Sequence, residues 1–208
     1  MVVPNRKMLV EGTAKKEVQP DIAYIQVGVL TSSPDVQIAQ EENRIRANRM
    51  VGALLQTGIQ QKDIETASYT SFPRYTEQTG EQVLTSYEVR HIFRITVREV
   101  QNSGSVIDTA FENGANISES LSFEVSNYQE IYKYVLQKAM INGYSKACAI
   151  AQTLGVPLDP IPIKVEEVTQ QVFFGPRYTS FALQEETSTP IEPKEITVTA
   201  SVNLEYVY

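Results

Sequence analysis

Three stretches of this chain alternate apolar and polar residues with a period of two. From Val83 to Arg98 the odd positions are Val83, Thr85, Tyr87, Val89, His91, Phe93, Ile95 and Val97, and the even positions include Glu88, Arg90, Arg94 and Arg98. Such alternation sets one face against a core and the other toward water. Ile196, Val198, Ala200, Val202, Leu204 and Tyr206 repeat it near the end, and Ala23, Ile25, Val27 and Val29 near the start. Clean alternation predicts antiparallel sheet covered on one face, because parallel strands tend to be apolar throughout. Gln19-Pro20-Asp21 reads as the turn of a first strand pair.

Between the strands the period lengthens to that of a helix. A first helix is expected from Ser33, with Pro34 in its first turn, to a stop near Gly58. Val36, Ala39, Asn43, Ala47, Met50 and Leu54 share its inner face, and Ile38 and Ile45 lie nearly opposite. A short helix fits Ser105 to Glu112, with Val106, Ile107, Ala110 and Phe111 inward. A long one runs from Asn127, which stands three residues before Glu130 in a capping-box-like spacing, to Leu154-Gly155, where Pro157 forbids continuation. Its apolar positions include Tyr132, Val135, Ala139, Ala147, Ile150 and Leu154, and the small residues Ala139, Gly143 and Ala147 permit close packing on a sheet. Residues 171–193 break all periodicity and form a long connector between strands, a kind of segment that is functional or disordered. The fold class expected is α+β, with antiparallel sheet packed against two long helices and one short one.

Composition narrows the function classes. The 208 residues are 42% hydrophobic and 21% charged, the signature of a globular chain. A net charge of −7 gives no general attraction for nucleic acid or anionic membrane. Cys148 is the only cysteine, so no intrachain disulfide forms. No apolar run approaches membrane-spanning length. The opening M-V-V-P-N-R-K-M-L-V-E-G has no apolar core before its first charges and does not read as a signal peptide. A cytoplasmic protein is therefore expected; the alternative is an exported or cell-envelope protein whose signal was removed.

Enzyme signatures are missing. There is no G-x-G-x-x-G, Walker loop, G-x-S-x-G or H-E-x-x-H, and one histidine with one cysteine builds no His/Cys metal cage. No catalytic, cofactor or metal residue is assigned, and no cofactor is expected. His91, in phase with the buried face, and Asn43, on the apolar side of the first helix, read as structural polar residues of the core. Arg90, Arg94 and Arg98 share a strand face and are expected to pair with carboxylates. Ile38 and Ile45 are candidate contacts with another subunit. So are Phe173, Phe174, Tyr178 and Phe181 in the connector, whose rings bury about 150–250 Å² each when covered. These aromatics dock on a neighbouring subunit, meet a protein partner or membrane surface, or cap their own sheet.

The order of these segments resembles the SIMPL-domain family, which includes the periplasmic immunogenic proteins. The resemblance is carried by E-G-T-A-K-K-E-V-Q-P-D-I-A-Y-I-Q-V-G-V and by T-G-I-Q-Q-K-D-I-E-T-A-S-Y-T-S-F-P-R-Y. It continues in Y-E-V-R-H-I-F-R-I-T-V-R, V-I-D-T-A-F-E-N-G-A-N, K-A-C-A-I-A-Q-T-L-G-V and I-T-V-T-A-S-V-N-L-E-Y. It spans about Val10 to Tyr206. It implies an α+β fold, a tendency to self-assemble, envelope or stress-response roles, export in many members, and no established catalytic residue. The chain is expected to be one SIMPL-like domain, or two intertwined subdomains of about 20–100 and about 101–208 plus the N-terminal strand. Its expected function is that of a non-enzymatic, self-assembling protein, a closed homo-oligomer with a scaffold or stress role. The rival readings are a module whose oligomer encloses a small ligand or docks a partner, and an unrecognised hydrolase or antioxidant enzyme.

Overall fold

Each alternating stretch becomes a strand and each helical stretch a helix in the computed structural model, which describes residues 6–78, 80–168, 189 and 191–208. The strands are β1 (Lys7–Val18), β2 (Ile22–Ser33), β3 (Ile64–Gln78), β4 (Glu81–Val97), β5 (Ile117–Glu124), β6 (Lys164–Val168) and β7 (Ile196–Val207). The helices are α1 (Val36–Gln56), α2 (Ser103–Glu112) and α3 (Tyr128–Leu154). The fold is α+β, with two antiparallel sheets of order β1-β7-β6 and β3-β4-β2-β5. The connector aromatics Phe173, Phe174, Tyr178 and Phe181 lie outside the described residues.

The chain divides into two compact units. One holds residues 1–19, 125–174 and 195–208; the other holds 20–124 and 175–194. The boundary expected near residue 100 lies instead between Glu124 and Val125, because β5 pairs with β2 and α2 shares the core of that sheet. Gln19-Pro20-Asp21 is likewise not a hairpin turn. β1 pairs with β7 while β2 pairs with β4 and β5, so these residues carry the chain from one sheet to the other. Turn chemistry is the same whether two strands pair or part, and local sequence does not distinguish the cases.

In the first unit α3 covers one face of the β1-β7-β6 sheet. Val198, Ala200, Val202, Leu204 and Tyr206 point into this core and meet Ile131, Val135, Ala139, Ala147 and Ala151 of α3. Of the apolar positions of this helix Ile150 and Leu154 are exposed, and Ile131 and Ala151 take the buried phase. Close approach of α3 to the sheet explains the small residues. A methyl group on Gly12 of β1 would sit 2.1 Å from the Ala139 carbonyl oxygen, and one on Gly143 would sit 2.7 Å from Leu204 Cδ1. Gly155 closes the helix with a φ of 67°, a left-handed conformation that costs an L-residue energy and glycine almost none. Asn127 caps the start only through its backbone, and the side-chain capping bond expected of it is not made.

In the second unit α1 and α2 cover one face of the four-stranded sheet. Ala23, Ile25, Val27, Phe93, Ile95, Val97 and Leu121 from the strands pack against Ala47, Met50 and Leu54 of α1 and Val106, Ile107 and Ala110 of α2. Phe111, expected inward, is exposed. α1 begins later than Ser33: Asp35 is its cap, accepting hydrogen bonds from the amides of Gln37 at 2.7 Å and Ile38 at 3.4 Å. A carboxylate is a strong acceptor for these unpaired first-turn donors, and it wins over the serine two residues before.

Candidate interaction surface

Three exposed features of the second unit stand out. The first is the end of the β3–β4 hairpin. β2 pairs with β4 only as far as the Ser33–Tyr87 pair. Beyond it, among the described residues, β3 and β4 pair only with each other, through Tyr75 opposite Leu84 and Thr76 opposite Val83. The alternation that buries Val89, Phe93, Ile95 and Val97 continues into this arm with nothing among the described residues to cover it. Val83 and Thr85, expected inward, are exposed. Tyr75 and Leu84 occupy one face of the arm and Val83 the other, at 55%, 42% and 41% exposure. Pro73 sits on β3, an edge strand of this sheet, where its missing N–H removes no ladder bond.

The second feature is the outer stripe of α1. Ile38 and Ile45 are exposed. Around them Arg44 pairs with Glu41 at 2.5 Å, and Arg46 pairs with Glu42 at 2.6 Å. Such exposed pairs are screened by water and contribute little to stability.

The third feature is a groove of about 450 Å³ between α1 and the β3–β4 edge, lined by Gln37, Gln40, Arg44, Asn48, Tyr69 and His91. His91 is half-buried, in edge-to-face contact with Tyr69 (centroids 5.1 Å apart), tilted against Phe93 at 4.0 Å, with Nε2 3.3 Å from the Thr66 hydroxyl. Burial holds its imidazole below the ordinary histidine range. No carboxylate or hydroxyl nucleophile is recorded within hydrogen-bond reach of its ring other than Thr66 among the described residues. Asn43, beneath it, is fully buried. Its amide nitrogen donates to the carbonyls of Val29 at 2.9 Å and Val89 at 3.1 Å, tying α1 to β2 and β4. Its Oδ1 has no partner among the described residues.

Arg90 and Arg94 of β4 and Arg98 just after it part company. Arg90 pairs with Glu119 of β5, and Arg98 pairs with Asp63 at 2.7 Å. Arg94 stacks instead over the ring of Tyr24, with its guanidinium carbon 3.9 Å from the ring centroid. In the other unit the hydroxyl of Tyr132 donates to Glu167, a bond that pushes its pKa up to about 12. Among the described residues no group of three or more His, Cys, Asp or Glu is placed to hold a metal ion, and no helix is long and apolar enough to cross a membrane. The arm residues Tyr75, Val83 and Leu84 escaped the sequence reading, because their alternation is the same as that of a buried strand.

The SIMPL family, described as a protein of unknown function (DUF541), matches this chain over residues 8–206. The 26 kDa periplasmic immunogenic protein of Brucella melitensis is 23% identical over 98% of this chain and 85% of its own length. The uncharacterized protein YggE of Edwardsiella ictaluri is 29% identical over 74% of this chain and 65% of its own length. YggE of Escherichia coli strain K12 is 28% identical over 74% and 63%. The cytoplasmic expectation is overturned by these matches, since the Brucella relative, aligned along almost the whole chain, is named as periplasmic. The lack of an apolar leader in the opening residues was the wrong ground for it. With two antiparallel sheets, three helices and a match from Met8 to Tyr206, the chain belongs to the SIMPL family.

Proposed function

We propose that this protein is an exported, non-enzymatic building block that assembles with copies of itself into a closed oligomer and serves a scaffold or stress-protective role in the cell envelope. The observation that carries the reading is the β3–β4 arm. A lone two-stranded hairpin is marginally stable in water. This one keeps Tyr75 and Leu84 on one face and Val83 on the other. An arm apolar on both faces is best stabilised between two other surfaces, and a neighbouring subunit supplies them. Export follows the printed name of the Brucella relative.

Mass photometry of the purified protein tests the reading. The expected result is a single large species, with smaller, defined particles once residues 74–86 are replaced by a two-residue Asn-Gly turn. The shortened protein should keep its circular dichroism spectrum, because the arm lies beyond the last β2–β4 pair. Intact protein that stays monomeric at all accessible concentrations ends the proposal. A ligand-enclosing module is the second reading, favoured by the groove that holds His91 and Tyr69 above the unpaired Oδ1 of Asn43. A small molecule retained in native mass spectra and lost in Tyr69→Ala would select it.

A further inference from the structure

α1 carries a glycine that its own chain does not require. Gly52 lies in the interior of the helix, where glycine is the poorest residue but proline. Among the described residues, a methyl group built on it would meet nothing within 4 Å. Gly12, Gly28, Gly104 and Gly143, by contrast, would each clash within 3 Å of a neighbour.

Ile38, Ile45 and Gly52 are spaced by sevens and form one stripe on the side of α1 away from the buried Ala39, Asn43, Ala47, Met50 and Leu54. The charges nearest this stripe are Glu41 and Glu42 in the N-terminal half of the helix and Arg49 in the C-terminal half; Arg44 and Arg46 lie farther round and pair with Glu41 and Glu42. Arg49 is exposed and has no carboxylate partner among the described residues.

We propose that α1 pairs with α1 of a second copy, antiparallel, across a two-fold axis at Ile45. The inference rests on the self-assembly reading and adds the surface and its symmetry. In this register Ile45 meets its own symmetry mate. Ile38 of each copy seats over Gly52 of the other, where the absent side chain leaves room. Glu42 stands beside the second copy's Arg49, on the same flank of the pair. The parallel arrangement puts Glu42 beside the second copy's Glu41 and leaves Arg49 beside Asn48, and is disfavoured by like charge. A two-fold contact of this kind is self-complementary, which the stripe is and a random surface is not.

Cross-linking reads the geometry directly. Cys148 is changed to serine so that any introduced cysteine is the only one. In that background Ile45→Cys should oxidise to a covalent dimer, because residues on the axis approach within disulfide range, about 4.4–6.8 Å between Cα atoms. Ile38→Cys alone should not, because its two copies stand about 21 Å apart along the paired helices. A mixture of Ile38→Cys and Gly52→Cys proteins should again cross-link. Gly52→Leu should reduce particle size while leaving thermal stability unchanged or higher, since nothing within the subunit opposes the larger side chain. If the Cys148→Ser parent assembles but Ile45→Cys gives no covalent dimer, or Ile38→Cys cross-links to itself, the pairing is wrong and self-assembly stands. A parent that is monomeric throughout removes both.

Discussion

His91 shows how one side chain couples burial to acidity. Its imidazole is held below its ordinary value of 6.5 by desolvation. The folded protein thus binds that proton less readily than the unfolded chain does. Stability is full above about 6.5 and falls as pH drops through that value toward the lower folded midpoint. The protein has one histidine, so a single imidazole resonance reports the titration. We expect its midpoint below 6.5, and we expect urea midpoints of His91→Gln to vary less between pH 5 and 7 than those of the parent. A resonance titrating above 6.5 would contradict the burial argument. Asn43 acts through geometry rather than charge. Its amide bonds two strand carbonyls from a position of zero exposure. Asn43→Leu keeps the volume but leaves those bonds unmade, and chemical denaturation should show a loss of about 1–3 kcal/mol.

At the scale of elements, the two long helices use glycine for opposite reasons. α3 comes so close to β1 and β7 that Gly12 and Gly143 have backbone and side-chain atoms where a methyl group would go. Gly12→Ala forces α3 away from the sheet and should cost about 3 kcal/mol, the upper end for overpacking. Gly52→Ala adds a methyl group in open space and should raise subunit stability by about 0.5–1 kcal/mol, the usual helix gain over glycine. Thermal melts at a concentration where the protein is monomeric compare the two variants. Equal effects of the same sign would show that the contact between α3 and β1 is not as close as 2.1 Å implies. The β3–β4 hairpin is the third telling element. Its inner half belongs to a four-stranded sheet and its outer half to no sheet but itself.

For the whole molecule, the arm and the α1 stripe are two separate exposed surfaces of one unit. Shortening the arm and replacing Ile45 therefore remove different contacts. If the proposed assembly uses both, each change alone should give a smaller but defined particle, and the two together should give monomer. Neither change touches the cores built on Ile25, Val27, Ile95, Val198 and Leu204, so the far-ultraviolet spectrum should hold in all three variants. Surface effects of this kind fall outside the short list of changes that unfold a domain.

Residue periodicity by itself determined the elements of this protein. The alternation at Ala23–Val29, Val89–Val97 and Ile196–Tyr206 and the helical phase of Ala39, Asn43, Ala47, Met50 and Leu54 are local consequences of which side chains leave water. The helix stops near Gly58 and at Leu154-Gly155 were legible too, from a glycine that takes positive φ and from the Pro157 that follows the second. The exposure of Ile38 and Ile45 also follows from phase alone, since they stand opposite a buried face. Pairing was not legible. β1 joins β7 across almost the whole length of the chain, and β5 joins β2 rather than the later strands, because long-range ladders depend on which apolar faces meet in space. The arm was hidden by the same logic: Val83 alternates like Val89, and only the end of β2 at Ser33 leaves one in water and the other in the core. The close seat of Gly12 on Gly143 and the empty space over Gly52 are likewise facts of tertiary packing, for a glycine in sequence does not say what stands opposite its missing side chain.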